Sequence, residues 1–252
     1  MDLSNRQELT WLSGVLRDVH QAGPQFKPLV VGATARDLLL HYVHAVPIAR
    51  ATSDVDLAFA VPDWAVFDAL RFALIASGAF VADRAHHRVL HRGGTPIDLI
   101  PFGGVEARDG AITWPADNSV MKVLGYREAL ASAVELMLPG SQRVFTVYLP
   151  MLAILKLIAW AERHVSAPRK DARDFFLIVN NYLNKDNTVR LYDEAAHLLE
   201  VDDFDYQVAG GWLAGHDAAC LIAAHSAEPE VILNACIEIV VLKQILADGC
   251  SL

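Results

Sequence analysis

The sequence predicts an α+β protein, a small sheet with helices over residues 1–149 followed by a helical region over residues 150–252. Three observations carry this. Short apolar runs bounded by turn residues recur up to residue 148, and amphipathic helical spacing separates them. From Pro150 onward every patterned segment has helical spacing. A composition 54% hydrophobic and 20% charged over 252 residues is that of a chain with a real core, not a disordered one.

In chain order, Ser4-Asn5-Arg6-Gln7 reads as a capping box, and Leu9, Leu12, Leu16 and Val19 recur at helical spacing until Gly23-Pro24 stops the helix. Leu29-Val30-Val31 is a short strand or turn leading to Gly32, and residues 34–41 have helix-forming character. Residues 44–53 form a loop containing Pro47. It delivers the chain to the strand Ser53-Asp54-Val55-Asp56-Leu57-Ala58-Phe59. Pro62-Asp63 starts a crossover helix through about Ser77, with Trp64, Phe67, Leu70 and Leu74 on one side. Residues 88–92 and 95–100 flank Gly93-Gly94, which predicts a two-residue hairpin with Leu90 opposite Ile97 and Val89 opposite Asp98. A second hairpin is expected to turn at Asp109-Gly110. A short helix at 126–133 and strands near 134–138 and 144–148 complete the first region. Helices are then expected at 151–161, 171–182, 188–200, 205–224 and 228–248, with a linker containing Pro168.

The chemistry concentrates on the carboxylate strand. Side chains alternate along a strand, so Asp54 and Asp56 share one face while Val55, Leu57 and Phe59 point into a core. Two fixed carboxylates suit a hard divalent cation shared with substrate phosphates; the plainer reading of a lone D-x-D is a solvated edge. Gly32 before a helix allows close approach of a ligand and offers N–H groups to a phosphate, although a glycine there is also ordinary turn chemistry. Lys156 is the one charge in the apolar run 151–161. It either snorkels to solvent or meets an anion, and a lone buried cation should tolerate Lys156→Met without loss of stability.

Three pieces in order, Gly32-Ala33-Thr34-Ala35-Arg36-Asp37, Asp54-Val55-Asp56 and Asp98 in an apolar strand, resemble the nucleotidyltransferase superfamily of DNA polymerase beta, the CCA-adding enzymes and the AbiEii-type toxins. The resemblance covers about residues 27–184. It implies a nucleotidyltransferase fold with a mixed sheet as a catalytic domain over 1–149 and a helical domain over 150–252. It further implies transfer of NMP from an NTP to an acceptor hydroxyl with release of pyrophosphate. Asp54, Asp56 and Asp98 would be catalytic and would hold Mg2+ or Mn2+, Asp98 also taking the hydroxyl proton. Gly32, Ala33, Thr34, Arg36, Ser53 and Lys156 would bind the nucleotide, with Asp171 and Asp174 behind them. Arg36 has a second reading, as an ion-pair partner of Asp37 or of the carboxylate strand.

Ala33 stands where the superfamily usually has Gly or Ser, with Thr34 as the substitute hydroxyl. No Glu-Asp dipeptide follows, which argues against CCA addition. Lys156 followed by Lys170-Asp171-Ala172-Arg173-Asp174 resembles the AbiEii-type toxins most, whose implied acceptor is tRNA or another cellular target and whose implied partner is an antitoxin. Small-molecule adenylylation, as of aminoglycosides, and an inactive nucleotide-binding fold are the alternatives.

Net charge is −9, and residues 185–252 carry all of it, with twelve acidic against three basic side chains. That excludes a nucleic-acid coat protein, while Arg84, Arg88, Arg92, Arg163, Arg169, Lys170 and Arg173 suffice for a few phosphate contacts such as a tRNA acceptor end needs. Cys220, Cys236 and Cys250 lack metal spacing and read as reduced thiols. His86, His87 and His91 lack a fourth zinc ligand, and no G-x-S-x-G occurs. No apolar run has membrane-spanning length and no signal peptide is recognisable, so a cytoplasmic location is expected.

Overall fold

The computed structural model describes residues 1–47, 52–166, 169–183, 187–200 and 202–249, with side chains described through residue 239. The chain forms two compact units, Met1–Tyr148 and Leu149–Leu252. It is an α+β protein, as its patterning predicts.

The first unit is built on a seven-stranded sheet. Its strands are β1 (Leu29–Val31), β2 (Val55–Val61), β3 (Phe80–Ala82), β4 (Arg88–His91), β5 (Pro96–Gly103), and, after a separate two-stranded ribbon of β6 (Ala111–Thr113) and β7 (Val120–Lys122), β8 (Val134–Leu138) and β9 (Gln142–Thr146). The order is β3-β4-β5-β2-β1-β9-β8. The sheet is mixed: β2 runs parallel to β5 and β1 to β9, and the other pairs are antiparallel. Helices α1 (Thr10–Ala22), α2 (Gly32–Arg36), α3 (Trp64–Ala76) and α4 (Tyr126–Ala131) complete the unit. Asp63 caps α3 by accepting from the Val66 N–H at 2.9 Å. Phe67, Leu70 and Leu74 on its inner side are fully buried, which fits the α3 stripe legible in the sequence.

Central position explains β2. Val55, Leu57, Ala58 and Phe59 are at most 1% exposed, so both faces are covered over most of the strand. Only its N-terminal end leaves carboxylates half-buried, at Asp54 and Asp56.

Four expectations need correction. Ser4 does not cap α1, because residues 1–3 run beside β8, with Asp2 bridging Met137, and a 3-10 turn at Gln7–Leu9 precedes the helix. The β4–β5 hairpin closes one residue earlier than predicted: Arg88 lies opposite Asp98 and Val89 opposite Ile97. Its loop is Arg92-Gly93-Gly94, with His91 N–H donating to the Thr95 carbonyl and Gly94 at φ +84°, the left-handed residue that three-residue loops use. Asp109-Gly110 leads into β6 instead of reversing the ribbon, which turns at residues 114–119 with Asn118 at φ +57°. The helix expected at 188–200 is a short α7 (Thr188–Asp193) followed by a 3-10 turn at Ala196–Glu200.

The second unit is helical, with α5 (Leu149–Arg163), α6 (Lys170–Asn180), α7, α8 (Tyr206–His225) and α9 (Pro229–Gly249). Asp205 caps α8 through the N–H groups of Gln207 and Val208. Part of the loop at 44–53, Pro168 and Cys250 lie outside the described residues.

Candidate active site

Adjacent strands place the candidate residues. In the β1–β2 register Val31 is opposite Asp56, and in the β2–β5 register Asp56 is opposite Asp98. The turn after Val31 therefore comes back onto Asp56. Gly32, at φ +67°, is the residue that permits it: a Cβ there would sit 1.9 Å from the Asp56 Oδ2. Both the backbone conformation and the space demand glycine. From Gly32 the chain turns directly into α2, whose start no side chain caps, and a π-helical stretch, Asp37–Val43, continues it.

Asp54 is held from two sides. The Thr52 hydroxyl donates to its carboxylate at 2.7 Å, and the Thr34 hydroxyl donates to its carbonyl at 3.2 Å. Thr34 is thus committed inside the chain, 4% exposed, beside an equally buried Ala33. Ser53 is exposed. Asp98 is gripped by Arg88, which donates from Nε to Oδ1 at 2.6 Å and from Nη2 to Oδ2 at 2.8 Å. That pair pushes the Arg88 guanidinium well above its ordinary pKa, with Asp54 and Asp83 adding to the effect.

Backbone register sets Val31, just before Gly32, beside Asp56 and Asp56 beside Asp98, while Thr34 bonds the Asp54 carbonyl. Arg88, which sequence reading placed among phosphate-facing cations, joins them through the hairpin register. Arg36 is buried, 1% exposed, and pairs with Asp37 at 2.6 Å. In donor chemistry the three aspartates suit a hard cation, and the missing Cβ of Gly32 is what lets the Asp56 carboxylate lie against the turn. Among the described residues no group of three or more His, Cys, Asp or Glu side chains converges to hold a metal. At Asp98 the fork from Arg88 occupies both oxygens. The three histidines diverge: His86 meets Asp68 at 3.0 Å, His91 meets Asp18 at 2.8 Å, and His87 lies against the Trp114 ring.

Within the second unit, Lys156 meets an anion instead of snorkelling. Its ammonium lies 2.7 Å from Asp174 and 3.4 Å from Asp171, and Arg163 reaches Asp171 at 2.8 Å. Lys156, Asp171 and Asp174 are at most 6% exposed. Burial requires such pairing.

A family model described as nucleotidyl transferase AbiEii toxin, type IV toxin–antitoxin system, matches residues 16–209. No curated protein matches the chain. Among solved structures, the antibiotic-resistance factor ANT(2'')-Ia is similar at 15% identity over 76% of this chain and 96% of its own, with a TM-score of 0.43. An antigenic nucleotidyltransferase-like protein from Paracoccidioides brasiliensis is similar at 19% identity over 77% and 90%, with a TM-score of 0.46. No helix among the described residues is long and apolar enough to cross a membrane.

Proposed function

The chain belongs to the AbiEii nucleotidyltransferase family, and on that premise we propose that it is a toxin that transfers NMP from an NTP to the acceptor end of tRNA and is neutralised by an antitoxin protein. The observation that carries the proposal is the register that lines Val31, Asp56 and Asp98 across three neighbouring strands, with the missing Cβ of Gly32 admitting the Asp56 carboxylate against the turn.

The acceptor oxygen attacks the α-phosphorus, the bond to the bridging oxygen breaks, and pyrophosphate leaves with that electron pair. Asp98 takes the acceptor proton: a carboxylate offers about four lone-pair sites, of which the Arg88 fork uses two. Asp54 and Asp56 would hold Mg2+ or Mn2+, with Asp98 alongside. Such an ion supplies charge neutralisation at the attacking and leaving oxygens. The turn at Gly32, Ala33 and Thr34 presents backbone N–H groups to the terminal phosphates, and exposed Ser53 adds a hydroxyl. Thr34 and Thr52 act by fixing Asp54. Arg36 is committed to Asp37, and Lys156 to Asp174 and Asp171, so neither enters the phosphate-binding set of this proposal.

Incubation of the protein with Mg2+, each α-labelled NTP and total RNA tests the proposal, with parallel arms of protein extract and of aminoglycosides. Label in tRNA supports it. Label only in protein or in the antibiotic rejects the tRNA acceptor, and the antibiotic arm would make the enzyme a small-molecule adenylyltransferase.

A further inference from the structure

The β4–β5 hairpin can close in two ways, and the choice decides what faces Asp98. With the three-residue loop Arg92-Gly93-Gly94, Arg88 is opposite Asp98. With a two-residue loop of Gly93-Gly94, β4 moves by one residue and Val89 takes that place. A slip of one residue turns every side chain of a strand to the other face, so Arg88 would leave Asp98. Neither patterning nor turn chemistry selects the register. Val89 is fully buried opposite Ile97, and Leu90 after it is an equally apolar replacement. Gly-Gly suits both loops. The neighbouring β3 is a three-residue edge strand that would travel with β4.

A contact from outside the sheet does distinguish the two. Asp18 on α1 is 8% exposed, and its Oδ2 accepts from Arg92 Nη2 and from His91 Nε2, each at 2.8 Å. The Gly93 N–H donates to His91 Nδ1 at 3.4 Å, which leaves Nε2 as the protonated nitrogen of a neutral ring. That ring also packs on Phe80, directly opposite on β3, with centroids 5.2 Å apart. A slipped β4 would carry the His91 ring to the opposite face, away from α1, and a buried carboxylate that loses a partner bears the cost of its desolvation.

We propose that Asp18 is a positioning residue: by holding His91 and Arg92 it fixes the three-residue loop, and through that register the Arg88 fork on Asp98. The inference rests on the proposed nucleotidyl transfer only in the role given to Asp98; the register can be read without it.

Nuclear magnetic resonance of the full chain reads the register directly. Backbone bonds join His91 to Thr95 and His87 to Leu99, so Arg88 and Asp98 between them form a non-hydrogen-bonded pair, the kind with the closer Cα atoms. Wild type should show an α-proton contact between Arg88 and Asp98 alone. Asp18→Ala should add a second contact, Val89 to Asp98, with the ratio of registers shifted at least about tenfold, the equivalent of one hydrogen bond to a charged group. In the transfer assay it should lower kcat and leave the KM for NTP unchanged. Rescue is available at Gly93. Two-residue hairpin loops need a positive φ at their first residue, whereas here Gly94 has one, +84°, and Gly93 does not. A Cβ at Gly93 would come no closer than 3.4 Å to its neighbours. Gly93→Ala therefore bars the slipped register; alone it should behave as wild type, and combined with Asp18→Ala it should restore the single contact and kcat. His91→Phe, which keeps a ring against Phe80 and loses only the bond to Asp18, gives the same reading as Asp18→Ala should that variant fail to fold. An unchanged single contact in the folded variants, or a second contact that survives Gly93→Ala, overturns the proposal. A slipped register with unchanged transfer would uphold the hold of Asp18 on the hairpin and fail the role of Asp98 in the proposed chemistry.

Discussion

Arg88 on β4 holds Asp98 on β5 through two hydrogen bonds, at 2.6 and 2.8 Å, because the hairpin register sets the two residues directly opposite each other. The pair is partly exposed, at 33% and 17% of the side chains. Charge-assisted bonds of this kind contribute about 1.5–3 kcal/mol when sheltered, and screening here lowers that to about 1 kcal/mol. Arg88→Ala should lower the unfolding free energy by that amount, read as a lower urea midpoint at unchanged m. In the transfer reaction it should lower kcat with little change in the KM for NTP, since Asp98 serves the acceptor side. Arg88→Lys should rescue less than half, because an ammonium cannot make the fork. A rise in KM with kcat unchanged would place Arg88 on the nucleotide instead.

Gly32→Ala should be among the most damaging small substitutions. The added methyl overlaps the Asp56 carboxylate and the backbone sits at φ +67°. The strain should cost about 1–2 kcal/mol, and displacement of Asp56 should reduce transfer far more than that loss of stability explains. Near-normal turnover in a folded Gly32→Ala protein would separate Gly32 from the site.

Lys156→Met should destabilise the protein, which reverses the expectation from its apolar sequence context. Asp171 and Asp174 are 0% and 3% exposed, and removal of the ammonium leaves two buried carboxylates with Arg163 as partial compensation. Breaking a buried pair from one side costs about 3–5 kcal/mol. An unchanged urea midpoint would show that the Lys156 ion pairs contribute nothing to folding.

Acid sensitivity should be traceable to Asp217 on α8. Burial alone would raise its pKa; hydrogen bonds from Arg190 at 2.7 Å and Tyr182 at 2.5 Å outweigh that and leave it below its ordinary value. A depressed carboxyl pKa contributes stability that is complete above the unfolded value, about 3.9, and lost as pH falls through the folded value. The melting temperature should therefore fall below about pH 4, and Asp217→Asn should be less stable at pH 7 with a shallower acid fall. Parallel pH curves for the two proteins would contradict this.

What the sequence disclosed was local. Alternation put Val55, Leu57 and Phe59 in the core, where they are buried, and Pro62-Asp63 marked a helix start that Asp63 caps; Gly32 marked a close approach, which in the structure is that of the Asp56 carboxylate. Register was less legible. Gly93-Gly94 permits a two- or a three-residue loop, and the choice moved Asp98 from opposite Val89 to opposite Arg88. Long-range charge pairing was less legible still: the resemblance set Asp171 and Asp174 behind the residues grouped with Lys156, but nothing local to Arg92 or His91 reveals that Asp18 lies against them. With Arg88, Arg92 and Arg163 all carrying carboxylate partners, an RNA acceptor should show a shallow salt dependence, equivalent to roughly two to four phosphate contacts.

The most direct test of the account is transfer of α-labelled NMP to RNA by purified wild-type protein and by Asp56→Asn, measured side by side with their melting curves. Asn keeps the shape at Gly32 and removes only the charge, and loss of repulsion among neighbouring carboxylates should hold or raise the melting temperature. Labelled RNA is expected with the wild type and none with the folded variant. Equal labelling by both proteins would contradict it.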